Sequence, residues 1–167
     1  VTHVSVYPLA IERRTPFDRM VLSGELEEVD EDVQADHMVL AQDLLQAAGF
    51  IRYEVASYAR PGFECRHNIS YWTGVPYLGI GRGAATMTQN SERRMRVCDN
   101  EVTDDLNRAE MEAEDLMLGM RLARGISHER LQEASIWLPE AIACFESLVQ
   151  EGYLAYENGR FAPTQLG

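Results

Sequence analysis

Residues 1–55 carry the pattern that most restricts the fold, because a period-two stretch, a long helical-period stretch and a second period-two stretch follow one another directly. Val4 and Val6 alternate with His3, Ser5 and Tyr7 across residues 1–9, the spacing of a strand with two unlike faces. From Asp32 to Ala48, apolar residues Val33, Leu40, Ala41, Leu44, Leu45 and Ala48 recur at helical spacing, and Gly49 is placed to end the helix. Phe50 to Val55 then reads as a strand with Ile51, Tyr53 and Val55 on one side and Arg52 and Glu54 on the other. Strand, helix, strand predicts a parallel βαβ unit with a right-handed crossover, and hence the α/β class. Residues 10–29 read as a loop. Glu25, Glu27, Glu28, Asp30, Glu31 and Asp32 crowd the approach to the helix, as a solvated entrance favoured by the N-terminal dipole does.

Composition removes several classes of chemistry. All 15 basic residues are arginine, so Schiff-base, P-loop and nucleophilic lysines are excluded within the 167 residues. A net charge of -12 repels phosphate backbones. Nucleic acid is therefore not the expected partner. No apolar run approaches the length of a membrane span, no signal peptide is evident, and cysteines at 65, 98 and 144 suit reduced thiols, which together point to a cytoplasmic protein. The start at Val1 in mid-strand, and the end at Gln165-Leu166-Gly167 without a closing element, predict a piece of a longer protein.

The densest chemistry lies in Arg60-Pro61-Gly62-Phe63-Glu64-Cys65-Arg66-His67-Asn68-Ile69-Ser70-Tyr71-Trp72, where a thiol, an imidazole, a phenol and an indole stand close together. Pro61 and Gly62 set a turn, which places these groups on a loop over a scaffold. Tyr77-Leu78-Gly79-Ile80-Gly81 reads as a short strand running into Arg82-Gly83-Ala84-Ala85-Thr86. A dinucleotide site is not expected, because no amphipathic helix or suitably spaced acid follows these glycines. They indicate close backbone approach instead.

After Gln89 the character changes, through a charged connector over residues 91–100, and a domain boundary is expected there: 1–90 and 91–167. A helix is predicted from Asp104 to Arg124, capped by Thr103 and ended by Gly125, with Leu106, Ala109, Ala113, Leu116, Met117 and Met120 on its buried face. Pro139 opens another helix burying Ile142, Phe145, Leu148 and Val149, which Gly152 stops. Asn158-Gly159 is a strong hairpin signal. Helices followed by a two-stranded ribbon predict a small, mainly α, winged-helix-like domain, though acids such as Asp104, Asp105 and Glu112 argue against DNA contact.

Four segments resemble, in order, the radical S-adenosylmethionine proteins of the oxygen-independent coproporphyrinogen III oxidase and haem-chaperone family. They are His3 to Tyr7 leading to Ile11-Glu12 and Thr15-Pro16-Phe17; Gly49-Phe50 to Pro61-Gly62; Cys65 to Trp72; and Tyr77 to Ala84. The stretch from Glu114 to Gly119 and on to the hairpin is similar to the family's small C-terminal domain. The resemblance implies the C-terminal βαβ part of a partial (β/α) barrel. It also implies S-adenosylmethionine and a 4Fe-4S cluster in the full-length protein. The cysteine cluster that holds such a metal centre is absent here, so the fragment alone is expected to bind no cluster and to be inactive in radical chemistry.

His67-Asn68-Ile69-Ser70-Tyr71 matches the His-Asn-x-x-Tyr run of the chaperone branch. The resemblance thus implies His67 as a haem-iron ligand, with Tyr71 beside it and Cys65 as a further candidate thiolate. The residues themselves leave another reading open, in which His67 fixes a loop through a backbone carbonyl while Tyr71 and Trp72 cap the core. A zinc site built on Cys65 and His67 lacks complementary ligands. By the same resemblance, backbone near Tyr7 and Ala10 and around Ala84 and Ala85 faces S-adenosylmethionine, although Ala85 stands where the branch commonly has histidine. The expected function is haem binding and transfer to an acceptor protein by the full-length protein. Alternatives are a coproporphyrinogen dehydrogenase of porphyrin biosynthesis and a non-catalytic interaction module.

Overall fold

The computed structural model describes residues 1–165; of the terminal tripeptide noted above, Leu166 and Gly167 lie outside the described residues. The chain forms two compact units, Val1–Glu64 and Cys65–Gly167.

The first unit holds β1 (His3–Ser5), α1 (Pro16–Leu22), α2 (Glu31–Ala47), β2 (Ile51–Arg52) and β3 (Ser57–Ala59). Its sheet runs in the order β1-β3-β2, with both outer strands antiparallel to β3. The strands flanking the long helix therefore do run parallel to each other. They do not pair directly, however, because β3 lies between them and takes the hydrogen bonds of both, giving a split βαβ arrangement. Local chain closure explains the insertion, since Glu54 turns the chain back at once. Its carboxylate accepts from the Ala56 N–H at 3.3 Å, and the Tyr53 N–H donates to the Ser57 carbonyl at 3.1 Å. Such a short closure costs little chain entropy, and it brings in Ala56, Ser57, Tyr58 and Ala59, the longest wholly buried run of the unit.

The expected loop over residues 10–29 contains α1, whose first turn has Pro16 and whose Thr15 hydroxyl accepts from the Asp18 N–H at 3.2 Å. Asp30 caps α2 in the same way at 2.9 Å, with Glu31 and Asp32 in the first turn, as the acidic run anticipated. Gly49, at φ +82°, follows its end. Val33, Leu40 and Leu44 are exposed on this helix.

The second unit holds α3 (Arg66–Trp72), β4 (Ala85–Gln89), β5 (Arg93–Cys98), β6 (Glu101–Asn107), α4 (Arg108–Gly119), β7 (Ile126–Ser127), α5 (His128–Ser135), α6 (Ala141–Gln150), β8 (Leu154–Glu157) and β9 (Arg160–Pro163). Three corrections arise here. Arg66–Trp72 form a helix after the Pro61-Gly62 turn, not a loop. The charged connector is β5, the central strand of the antiparallel sheet β4-β5-β6, and its arginines are tolerated there because each meets a carboxylate. The change of character at residue 90 is the turn between β4 and β5, tied by the Asn90 side chain accepting from the Glu92 and Arg93 N–H groups.

The third correction concerns α4. Residues 101–107 pair with β5 as a strand, so the helix starts later and its cap is Asn107, not Thr103. Asn107 accepts from the Glu110 N–H at 3.1 Å while the Glu110 carboxylate accepts from the Asn107 N–H at 2.8 Å, a reciprocal capping box. The buried face also differs from the expected one. Met111, Glu112, Leu116 and Gly119 are buried, while Met117 is 57% exposed.

From α4 onward the order α4-β7-α5-α6-β8-β9, with sheet order β7-β9-β8, is that of a winged helix. Its core joins Leu116, Ile126, Leu131, Ala134, Phe145, Leu154 and Phe161, and α5 is an element the apolar pattern did not announce. The β8–β9 turn has Asn158 at φ +51° and Gly159 at φ +73°, the left-handed pair that matches the twist of the strands. No helix among the described residues is long and apolar enough to cross a membrane. Asn107→Ala is expected to lower stability by about 1 kcal/mol, with Asn107→Gly costing less; urea unfolding of the three proteins side by side checks this.

Candidate functional site

α3 brings the chemistry-bearing run into order. His67 and Tyr71 lie four residues apart, so the helical period puts them on one face; both are exposed. Their rings meet edge to face at 4.8 Å, and Tyr71 meets Tyr77 at 5.1 Å, forming a short aromatic ladder. Trp72 turns away from this ladder, and the Arg121 guanidinium stacks over its ring at 5.5 Å. Cys65 is the N-cap residue of the helix, half-buried, and makes no side-chain capping bond.

What holds α3 in place is polar. Arg94, central in β5 and only 1% exposed, donates to Gln89 at 2.8 Å, to Glu114 at 2.5 Å and to Asp115 at 2.7 Å. Gly74, at φ +67°, closes the end of α3 over this cluster. A Cβ there would lie 2.9 Å from Asp115 Oδ1 and 3.0 Å from Arg94 Nη2, so only glycine fits both the conformation and the space. The Gln89 amide donates back to the Gly74 carbonyl at 3.1 Å. Two residues along the strand, Arg96 pairs with Glu114 at 2.8 Å and Asp104 at 3.1 Å. Glu112, 3% exposed by side chain, completes the network between Arg108 and Arg130.

The charges in this cluster stabilise one another. Burial pushes the Glu114 carboxyl up, but hydrogen bonds from Arg96 and Arg94 outweigh that and hold it below the usual carboxylate range. For Arg96, the hydrogen bond to Glu114 is the largest influence and raises the guanidinium despite burial.

Tyr77 also connects the ladder to the glycine-rich stretch. In place of the expected strand over 77–81, a single bridge joins Tyr77 to Met87, and the Gly79 N–H donates to the Thr86 hydroxyl at 3.0 Å instead of to a backbone carbonyl. A Cβ on Gly79 would sit 2.3 Å from the Ala85 carbonyl oxygen, which is the close backbone approach the glycines implied. Gly81 and Gly83 instead serve left-handed conformations, at φ +106° and +73°. Ala85 is half-buried at the start of β4, opposite Cys98.

Tyr7 and Ala10 belong to the first unit, both exposed after β1. Tyr7, with Leu9 and Ile11 on either side of Ala10, lines a cavity of about 210 Å³ that also receives Met38 and His37. The structure thus gathers His67 and Tyr71 on one helix, links them through Tyr77 to the Ala85 region, and puts Tyr7 and Ala10 in a separate unit. Sequence reasoning did not find Tyr77, Arg94 or Arg96. The available signal was the Arg94-x-Arg96 alternation, which in a strand directs both side chains to one face. Among the described residues, no three His, Cys, Asp or Glu side chains are arranged to hold a metal ion.

Comparison with known proteins gives a consistent picture. "Heme chaperone HemW" of Mycobacterium tuberculosis is 34% identical over the whole of this chain, which spans 45% of that protein. "Radical S-adenosyl methionine domain-containing protein 1, mitochondrial" of Danio rerio is 30% identical over 83% of this chain and 35% of its own length. The chain thus spans less than half the length of these curated relatives. Among solved structures, coproporphyrinogen III oxidase (HemN) from Escherichia coli, a radical SAM enzyme, superposes with a TM-score of 0.59 at 12% identity, over 98% of this chain and 44% of the other. No family model matches the sequence.

The lowered Glu114 carboxyl fixes a pH dependence. Its stabilisation is present above the unfolded value near 4.5 and is lost as pH falls through the lower folded value. Glu114→Gln is therefore expected to unfold at lower urea than the parent at pH 7, with the gap shrinking as pH drops below about 4.5; urea midpoints across that range measure it.

Proposed function

Since this chain belongs to the radical S-adenosylmethionine family of oxygen-independent coproporphyrinogen III oxidase-like proteins and haem chaperones, matching its C-terminal part, we propose that it serves haem binding and transfer to an acceptor protein. The observation that carries this reading is the exposed His67–Tyr71 pair on α3. Imidazole is a common axial ligand of haem iron and a phenolate can serve as one. An imidazole that faces solvent from a braced helix is available to a ligand arriving from outside. The ring ladder of Tyr71 and Tyr77 offers flat aromatic surface to a porphyrin, and Val75, Leu78 and Ile80, 47%, 76% and 86% exposed, leave apolar surface nearby in the chain.

S-adenosylmethionine and the 4Fe-4S cluster belong to this reading only as properties of the longer family proteins. Cys65, Cys98 and Cys144 stand far apart in sequence, and no metal-holding group forms among the described residues, so these residues do not fit such a cluster. For S-adenosylmethionine itself, backbone near Tyr7, Ala10 and Ala85 is the contribution proposed for this chain. Ala85 brings no imidazole to that contact.

A second reading, oxidative decarboxylation of coproporphyrinogen III, draws on the fold likeness to coproporphyrinogen III oxidase. It requires protoporphyrinogen to form in a longer, cluster-loaded protein that contains these residues. Haemin titration followed at the Soret band tests the first reading. His67→Ala is expected to shift the band and weaken affinity by about tenfold or more, with a smaller effect from Tyr71→Phe. An unchanged band and affinity in His67→Ala would remove His67 from the site.

A further inference from the structure

A second cavity, of about 260 Å³, lies in the C-terminal unit where the end of α3, the turn from α4 to β7, and β9 meet. Its wall brings Arg124, Arg130 and Arg160 together with Trp72, Ser127 and Asp115. Three guanidiniums around one hollow stand out in a chain whose net charge is -12.

The charges do not cancel within the cavity. Asp115 is its one carboxylate, and that group is already engaged, accepting from Arg94 at 2.7 Å and from Arg130 at 3.4 Å. Arg130 is further satisfied by Glu112 at 2.5 Å. Among the described residues, Arg160 donates to neutral carbonyls, those of Arg124 and Gly125, both at 2.8 Å, and to no carboxylate. Arg124 has no carboxylate within ion-pair distance among the described residues. Two positive charges thus border the hollow without a counter-charge among the described residues, on a backbone held firmly. Gly125, at φ +58°, packs so close to β9 that a Cβ would lie 1.8 Å from the Phe161 carbonyl oxygen, and this contact is what puts the Arg160 fork beside Arg124.

From this arrangement we infer that the cavity is a binding site for a small oxyanion, a phosphate or carboxylate group received between Arg124 and Arg160. Guanidinium forks match both anions in geometry. Ser127 can add a hydroxyl donor, since its oxygen already accepts from the Arg130 N–H at 3.2 Å and its proton is not used by that bond. The indole of Trp72 and the side chain of Leu122 supply apolar wall for whatever carries the anion. The site is independent of the His67 face and is tested without haem.

Trp72 reports on the cavity directly, because the only other tryptophan is Trp137. In a Trp137→Phe background, inorganic phosphate or succinate is expected to produce a saturable change in indole emission that chloride at matched ionic strength does not. Adding Arg124→Ala, an exposed position, is expected to weaken the apparent affinity by about tenfold, the loss of one charge-assisted contact. Arg124→Lys should fall between the two. Phosphate alone acting points to a phosphorylated ligand, and succinate alone to a carboxylic acid; either supports the site. No saturable response to either anion, or an unchanged affinity in a folded Arg124→Ala protein, overturns it.

Discussion

A single buried guanidinium organises the C-terminal unit. Arg94 is almost wholly out of water, and such a charge is tolerated only where partners replace its hydration. Gln89, Glu114 and Asp115 do so from β4 and α4, so one side chain joins the three-stranded sheet to the first helix of the winged-helix part. Without that guanidinium Glu114 would keep only Arg96, at 2.8 Å, and Asp115 only Arg130, at 3.4 Å, and the tie between sheet and helix would be lost. The arrangement fixes geometry more than it adds stability, since desolvation offsets much of the attraction.

That geometry reaches the chemistry through α3. The helix is only seven residues long and has too few hydrogen bonds to stand alone. It is held because Gly74 fits against the Arg94–Asp115 pair, because Gln89 reaches the Gly74 carbonyl, and because Tyr71 packs on Tyr77, which is bridged to Met87. Bracing at one end leaves His67 and Tyr71 free to face outward. For the proposed haem contact, such bracing would leave little to order on binding.

Much of the fold was legible, and the failures share a cause. The long helix with its acidic entrance, the Gly49 stop, the Asn158-Gly159 hairpin and the mixed α/β architecture all follow from local periodicity and turn chemistry. The errors cluster where charge replaced apolar pattern. Residues 91–100 looked like a connector because arginines fill a central strand, and the buried face of α4 was misjudged because Glu112, read only as one of the helix's acids, is buried between Arg108 and Arg130. Of the site, the His67-Asn68-Ile69-Ser70-Tyr71 run was visible as a motif, but its helical conformation was masked by the preceding Pro61-Gly62 turn. Tyr77 stood in a family-like segment without a role of its own, and the Arg94-x-Arg96 alternation passed as connector charge.

The amino-acid order alone determined the elements that depend on neighbours a few residues apart: helix caps, glycine turns, the hairpin, and the exclusion of lysine chemistry. Tertiary structure alone decided which charges could be buried, where β3 inserts between β1 and β2, and which arginines share a cavity. The reason is physical. A cap or a turn is settled by dihedral preference and one short hydrogen bond, whereas a buried ion pair exists only when groups distant in the chain arrive together and displace the same water.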